Sequence, residues 1–139
     1  MILVDSGFLL AFAQPTDALH WRAVGWAKSV SERLLATEYV LCETVNSLSR
    51  RADRLRAHRI VELISSDPNY TLVPASSELF AAGLCLHRDR PDKEWSLTDC
   101  VSFHLMRERG LTRALAYDLH FEQAGFEALL RRDPPAGEP

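Results

Sequence analysis

The sequence has few of the features that mark secreted, disulfide-stabilised or membrane-spanning proteins. Its three cysteines, Cys42, Cys85 and Cys100, lie in apolar segments without CxxC or Cys/His spacing. We therefore expect buried thiols in a reducing compartment. The longest apolar stretches are far shorter than the roughly 18 residues that cross a membrane, and the N-terminus lacks the basic segment of a signal peptide. These absences predict a cytoplasmic protein that does not contact a membrane.

Neither sign of charge dominates, since the 139 residues carry a formal net charge of -3. This argues against a generally basic nucleic-acid-binding surface, but not against a local positive patch. The sequence contains no GxGxxG and no P-loop, so nothing indicates a dinucleotide or nucleoside triphosphate site. The five histidines are scattered and form no HExxH motif. The chain length and the 47% of hydrophobic residues predict one globular domain with a single core.

Strand and helix patterns alternate along the chain. Residues 2–4 are β-forming and lead into a short helix, and further strands are predicted at 34–36, 70–73 and 113–117. Strands that are separated by helices pair in parallel. The sequence therefore predicts an α/β protein, a three-layer α/β/α sandwich with a mostly parallel central sheet. Residues 131–139 contain three prolines and a glycine and are predicted to form a flexible C-terminal tail.

Four acidic residues stand out against their hydrophobic surroundings. Asp5 and Asp118 follow predicted strands, and the ligands of open parallel sheets bind outside the carboxyl ends of the strands. Glu43 and Asp99 have hydrophobic neighbours on both sides. Each acid alone has an ordinary interpretation: Asp5 would cap a helix, and Asp118 would form a turn. Asp99 would complete a capping box with Ser96, and Glu43 would simply be solvated.

The four acids together are better explained by a metal site. Carboxylates that converge in a partly desolvated cleft raise one another's pKa values and destabilise the fold, and a cation removes that conflict. A ligand set made only of oxygen favours Mg²⁺ or Mn²⁺ over zinc. Glu43 shares a predicted helical face with Asn46 and Arg50, so we expect this face to meet a polar site. Such an ion suits phosphodiester hydrolysis, because it lowers the pKa of a bound water.

Four segments carry a recognisable pattern in their order and spacing: MILVDSGFLLAF, LCETVNSL, DKEWSLTDCVSFHLMRERGL and ALAYDLHFEQAGF. They resemble the PIN-domain family, and within it the VapC-like toxins of bacterial toxin-antitoxin pairs. The resemblance extends from Met1 to about Leu130 and implies a PIN domain over residues 1–130. It further implies a Mg²⁺- or Mn²⁺-dependent endoribonuclease that cleaves RNA, usually as a homodimer.

The resemblance also implies a set of site residues. The catalytic, metal-binding quartet would be Asp5, Glu43, Asp99 and Asp118. Asp5 and Asp99 would be the firmest ligands of the ion. Ser6 would support the first Asp through a hydrogen bond, with Asn46 as a second supporting residue. Many relatives have Ser or Thr two positions before the last Asp, whereas this chain has Ala116, so a hydroxyl contact to the site is expected to be missing.

Further predictions concern the substrate and partners. The segment RRADRLRAHR contains five arginines, and Arg50, Arg51 and Arg54 are predicted to contact the RNA backbone, with a solvated helix face as the alternative. The resemblance implies a cognate antitoxin protein whose C-terminal segment wraps the toxin. A phosphatase of the haloacid dehalogenase type requires an Asp where this chain has Gly7. The remaining alternative is a non-catalytic PIN-like module that binds RNA or protein, against which the complete quartet argues.

Overall fold

The computed structural model of the protein describes residues 1–136. Its centre is a five-stranded parallel sheet in the order β3-β2-β1-β4-β5. The strands are β1 (Ile2–Val4), β2 (Leu34–Thr37), β3 (Tyr70–Val73), β4 (Arg113–Leu115) and β5 (Glu127–Ala128). The predicted α/β class and parallel pairing are confirmed.

Seven α-helices and one short 3₁₀ helix connect and follow the strands in the described residues. They are α1 (Ser6–Ala13), α2 (His20–Ser29), α3 (Glu38–Ser47), α4 (Arg54–Ser66), α5 (Ser77–Asp89), α6 (Leu97–Arg109), α7 (Leu119–Gln123) and the 3₁₀ helix Leu129–Arg131. Hydroxyl caps begin two of these helices: the Thr37 hydroxyl accepts from the Val40 amide, and the Ser76 hydroxyl accepts from the Leu79 amide. Helix α6 ends at Gly110, which has a φ of 67°.

Helix α3 ends earlier than the sequence suggested, at Ser47 instead of near Arg50. The hydroxyl of Ser47 donates to the Glu43 carbonyl, and the hydroxyl of Ser49 donates to the Val45 carbonyl. The Val45 carbonyl, which would accept from the Ser49 amide in a longer helix, accepts instead from the Leu48 amide and the Ser49 hydroxyl. The early end separates Arg50 from the helical face of Glu43.

The helices cover both faces of the sheet. In β1, Ile2 and Val4 pack into an apolar cluster with residues of α1 to α4, whereas Leu3 packs into a second cluster with residues of α6 and α7. This alternation follows from the period of two of a β-strand, and it places apolar side chains on both faces of a central strand. The three-layer architecture is therefore confirmed.

The prediction of buried cysteines is right for Cys100 and wrong for Cys42 and Cys85, which are exposed on α3 and α5. Consecutive residues of a helix point about 100° apart, so apolar neighbours in sequence do not place a side chain on the buried face. Among residues 1–136, no helix is long and apolar enough to span a membrane.

The first residues of the predicted tail contact helix α2. Trp26 Nε1 donates to the Arg132 carbonyl at 3.0 Å, and Arg22 forms a salt bridge of 3.1 Å with Asp133. Arg131 belongs to the 3₁₀ helix. Residues 137–139 lie outside the described part of the chain, so flexibility at the end of the tail stays a prediction, as does the domain boundary at residue 130.

Candidate active site

A cleft opens at the carboxyl end of the sheet, where the strand order reverses direction. Strand β1 lies between β2 and β4, so the chain first moves to one side of β1 and later returns to its other side. Helices that leave neighbouring strands toward opposite faces open a crevice at such a point, and ligands of parallel sheets bind there. All four acids of the predicted quartet line this cleft, namely Asp5, Glu43, Asp99 and Asp118.

Asp5 follows β1 directly and carries a buried carboxylate oxygen that has no partner. It is only 7% exposed, and its Oδ1 has no hydrogen-bond partner. Burial raises the pKa of Asp5 to about 7, with further upward contributions from Asp99, Glu43 and Asp118 and a downward one from the Ser6 amide. Asp5 occupies the N-cap position of α1, but its side chain makes no capping bond. The ordinary interpretation as a helix cap is therefore wrong for this residue.

Ser6 fixes Glu43 across the cleft. Its buried hydroxyl, on the first turn of α1, donates a short hydrogen bond to Glu43 Oε1 on α3. The family resemblance predicted that this hydroxyl supports Asp5. The structure places it on Glu43 instead, because Glu43 on the facing helix comes within reach of the Ser6 hydroxyl. Ser6 thus orients a member of the quartet, although not the expected one.

Asp99 has two roles at once. It closes the predicted capping box of α6: the Ser96 amide donates to Asp99 Oδ2 at 3.1 Å, and the Asp99 amide donates to Ser96 Oγ at 3.0 Å. His120 Nδ1 lies 3.0 Å from the same Oδ2. Both side-chain contacts use Oδ2, so capping the helix does not occupy Oδ1. The capping and active-site interpretations of Asp99 are therefore compatible.

His120 joins two acids of the quartet. Its Nδ1 lies 3.0 Å from Asp99 Oδ2 and 3.4 Å from Asp118 Oδ1. An ionised carboxylate can only accept hydrogen bonds, so an ionised Asp99 requires a form of His120 that carries a proton on Nδ1. Asp118 also accepts from the His120 amide, as the cap of the short helix α7. The five histidines were predicted to be surface or core residues, and the position of His120 two residues after Asp118 was the signal that set it apart from the others.

Other residues complete the cleft without having been predicted. Asp17 and Glu94 bring its carboxylates to six, and Tyr117, Leu119 and Arg131 lie at the same opening. Glu94 precedes α6 in an otherwise polar loop, so only the folded chain distinguishes it from its acidic neighbours. A cleft with six carboxylates repels a polyanion unless cations neutralise it.

The chemistry of the quartet fits a hard divalent cation at Asp5. Within residues 1–136, no three His, Cys, Asp or Glu side chains are grouped closely enough to hold a metal ion as they stand. Glu43 and Asp99 are held by Ser6 and His120, whereas Asp5 Oδ1 is buried without a partner and near other carboxylates. A cation would provide this oxygen with a partner and offset the repulsion, and Mg²⁺ usually completes its coordination with water.

The family of the protein follows from comparison with known sequences. A family model of the PIN domain matches residues 2–127. The chain belongs to the PIN-domain family. The 23S rRNA-specific endonuclease VapC20 of Mycobacterium tuberculosis is 32% identical to this PIN domain over 127 residues, which are 91% of this chain and 95% of VapC20.

Solved structures agree with this assignment. The crystal structure of Mycobacterium tuberculosis VapC20, described as a Sarcin-Ricin loop cleaving toxin, matches this PIN domain with a TM-score of 0.84 at 27% identity, over 91% of this chain and 96% of that one. FitAcB from Neisseria gonorrhoeae matches with a TM-score of 0.63 at 18% identity, over 92% of this chain and 95% of the other. The second match supports the fold alone.

The structure does not bring every predicted site residue to the cleft. Arg50, Arg51 and Arg54 are exposed around the turn before α4 and do not line it. Asn46 lines an adjoining depression that it shares with Glu43, and its side-chain amide lies 3.8 Å from Cys42 Sγ. The predicted polar face is therefore wrong for Arg50, since α3 has already ended. The roles of Asn46 and the arginines stay predictions.

Ala116 does not leave a gap in the cleft. Its side chain is fully buried in the second apolar cluster, with Phe103 and Phe121, and is absent from the cleft lining. A hydroxyl at this position would enter apolar surroundings in this chain. The departure from the family pattern thus puts an apolar side chain at the buried position that follows β4 and leaves the cleft carboxylates in place.

Proposed function

We propose that this PIN domain is a metal-dependent endoribonuclease that hydrolyses RNA phosphodiester bonds and acts as the toxin of a toxin-antitoxin pair. The observation that carries the proposal is the meeting of Asp5, Glu43, Asp99 and Asp118 in one cleft at the switch point of the sheet. The 32% identity to an rRNA-specific endonuclease over nearly the whole chain supports the same chemistry.

The proposed mechanism depends on how the protein holds its carboxylates. Asp5 and Asp99 would bind Mg²⁺ or Mn²⁺, with Glu43 and Asp118 completing the acidic surroundings. When bound, the ion supplies an acidified water and stabilises charge on the phosphate oxygens. Ser6 holds the Glu43 carboxylate in one orientation, and Ser96 and His120 do the same for Asp99. Fixed carboxylates lose little entropy when they bind the ion, which favours a defined position for the attacking water.

The negative charge of the cleft limits how RNA can be held. Because the cleft is acidic, RNA requires cations near it, and the exposed Arg50, Arg51 and Arg54 are proposed to hold the RNA backbone outside the cleft.

A cognate antitoxin and a second copy of the chain, in a homodimer, are proposed as protein partners in the cytoplasm. Helix α5 exposes Phe80 and Leu84 one turn apart, an apolar face that is available to a protein partner.

Purified protein incubated with total RNA tests the function. We expect discrete cleavage when Mg²⁺ or Mn²⁺ is present and none in EDTA, because Asp5 and its neighbours repel the phosphate without a cation. Mapping of the fragment ends identifies the RNA, and 23S rRNA is the first candidate because VapC20 is named for it. Undiminished cleavage in EDTA would contradict the dependence on a divalent metal ion. RNA binding without cleavage under any divalent ion would favour the non-catalytic module.

His120 is expected to act as a positioning residue in this reaction. Removing its hydrogen bond in His120→Ala should lower kcat about 10- to 100-fold with little change in KM, because Asp99 loses its orientation while substrate contacts remain. His120→Asn keeps a donor near the position of Nδ1 and should recover part of the loss. Steady-state cleavage kinetics of the three proteins measure the effect. Equal loss in both variants would argue against positioning through Asp99.

A further inference from the structure

Tyr117 is placed at the cleft by the end of strand β4. It lies between the buried Ala116 and the quartet member Asp118, and it lines the cleft while remaining 43% exposed. Single exposed aromatic side chains are common on protein surfaces, so exposure alone assigns no role. Tyr117 is distinguished by its place in the cleft and by its contacts with Arg131.

Arg131 is held against Tyr117 by contacts to both its backbone and its ring. Its NH1 group donates to the Tyr117 carbonyl at 2.9 Å, and its guanidinium carbon lies 5.0 Å from the centre of the Tyr117 ring. Arg131 Nε also lies 3.7 Å from Glu122 Oε1. The guanidinium is therefore fixed in position, as a group that binds a phosphate needs to be.

Arg131 also differs from the other arginines of the described residues in its position at the cleft. Within the described residues it is the one arginine that lines the cleft, which otherwise presents six carboxylates and His120. A cleft this acidic repels an anionic substrate such as RNA. A fixed guanidinium at its edge provides the positive charge that one nucleotide phosphate requires.

We propose that Tyr117 and Arg131 form a nucleotide-binding subsite next to the reacting phosphate. The Tyr117 ring stacks on the base of the adjacent nucleotide, and the Arg131 guanidinium contacts its phosphate. Leu119, which follows Asp118 in the sequence, is exposed and also lines the cleft, and it provides an apolar contact for the same base. Aromatic rings that stack on splayed bases and arginines that contact the backbone are the usual means of holding such a nucleotide. The inference rests on the proposed function for the identity of the ligand.

The test measures base stacking separately from cleavage. The probe is a short single-stranded RNA with one 2-aminopurine, titrated with the intact protein in an Asp99→Asn background that prevents turnover. We expect quenching of the 2-aminopurine fluorescence that is kept in Tyr117→Phe and lost in Tyr117→Leu, with affinity about 5- to 100-fold weaker in the latter. Arg131→Ala should weaken binding and reduce the salt dependence by about one phosphate contact.

Two matched controls exist in the same chain. Trp21 is also exposed and also has an arginine over its ring, with Arg22 at 5.4 Å, but it does not line the cleft. Arg132 neighbours Arg131 and pairs with Glu127 away from the cleft lining. Trp21→Leu and Arg132→Ala should therefore leave quenching, affinity and cleavage unchanged. Thermal melts establish that each variant is folded.

The outcomes separate this inference from the proposed function. Quenching and cleavage that are equal in Tyr117→Leu and in the parent protein would overturn the subsite while leaving the nuclease intact. Quenching that depends on Tyr117 in a protein that cleaves no RNA under any divalent ion would support the subsite and overturn the nuclease. Equal losses in Trp21→Leu and Tyr117→Leu would also overturn the subsite, because the effect would then be general to exposed aromatic residues.

Discussion

RNA cleavage is expected to fall at least about 100-fold in Asp99→Asn, with little loss of stability. The substitution preserves shape and leaves an amide oxygen that can accept from the Ser96 amide and from His120. It removes the negative charge that would hold a divalent ion beside Asp5. The lost charge at the start of α6 costs about 0.3 to 1 kcal/mol, and relief of repulsion with Asp5 offsets part of that cost.

Asp89→Asn is a suitable control for this experiment. Asp89 is exposed at the end of α5 and does not line the cleft, so the same chemical change should leave cleavage intact. Initial cleavage rates and thermal melts of both variants distinguish a lost site from a lost fold. Undiminished cleavage by Asp99→Asn would refute the assignment of the quartet.

Asp5→Asn is expected to make the metal-free protein more stable at pH 8 while abolishing cleavage. Burial and the neighbouring carboxylates raise the pKa of Asp5 to about 7 from an ordinary value of 3.8. The folded protein therefore binds a proton more tightly than the unfolded chain, and the free energy of unfolding falls as pH rises from about 4 to about 7. Asparagine does not titrate, so the variant lacks this loss, which is on the order of a few kcal/mol.

Urea unfolding in EDTA at a series of pH values measures the difference between the two proteins. The curves should be closest near pH 4 and furthest apart above pH 7, and Asp89→Asn should follow the wild-type curve. Mg²⁺ at pH 8 should stabilise the wild-type protein and have little effect on Asp5→Asn, because a ligand stabilises only the state that binds it. Parallel pH curves for wild type and Asp5→Asn would show that Asp5 is not under electrostatic strain.

The quartet was predictable because the positions of its members follow from local sequence. Asp5 and Asp118 come directly after apolar strands, and in a parallel sheet such positions share one edge. Thr37 and Ser96 fix the starts of the helices that carry Glu43 and Asp99, so the phase of both helices was readable. Strand ends and helix caps are short-range signals, and they were sufficient for these four side chains.

The remaining contacts depend on distances that no short segment encodes. Ser6 lies beside both Asp5 and Glu43 in the fold, and only the packing of α1 against α3 decides which carboxylate receives its hydroxyl. Arg131 lies in what the sequence presents as a tail, yet it reaches Tyr117 because the chain returns through β5 to the edge of the sheet. The arginine-rich segment was more conspicuous in sequence but does not line the cleft.

The 3₁₀ helix after β5 limits how far the C-terminus of this domain can be truncated. The family match stops at residue 127, but Leu129 and Leu130 are fully buried, and the Leu130 amide donates to the Ala116 carbonyl. A protein trimmed to the matched span would lose three core side chains, those of Ala128, Leu129 and Leu130, and uncover the strand that leads to Asp118. Any fragment, fusion or crystallisation variant of this PIN domain should therefore retain the chain through Asp133, whose salt bridge with Arg22 closes the C-terminal segment onto α2.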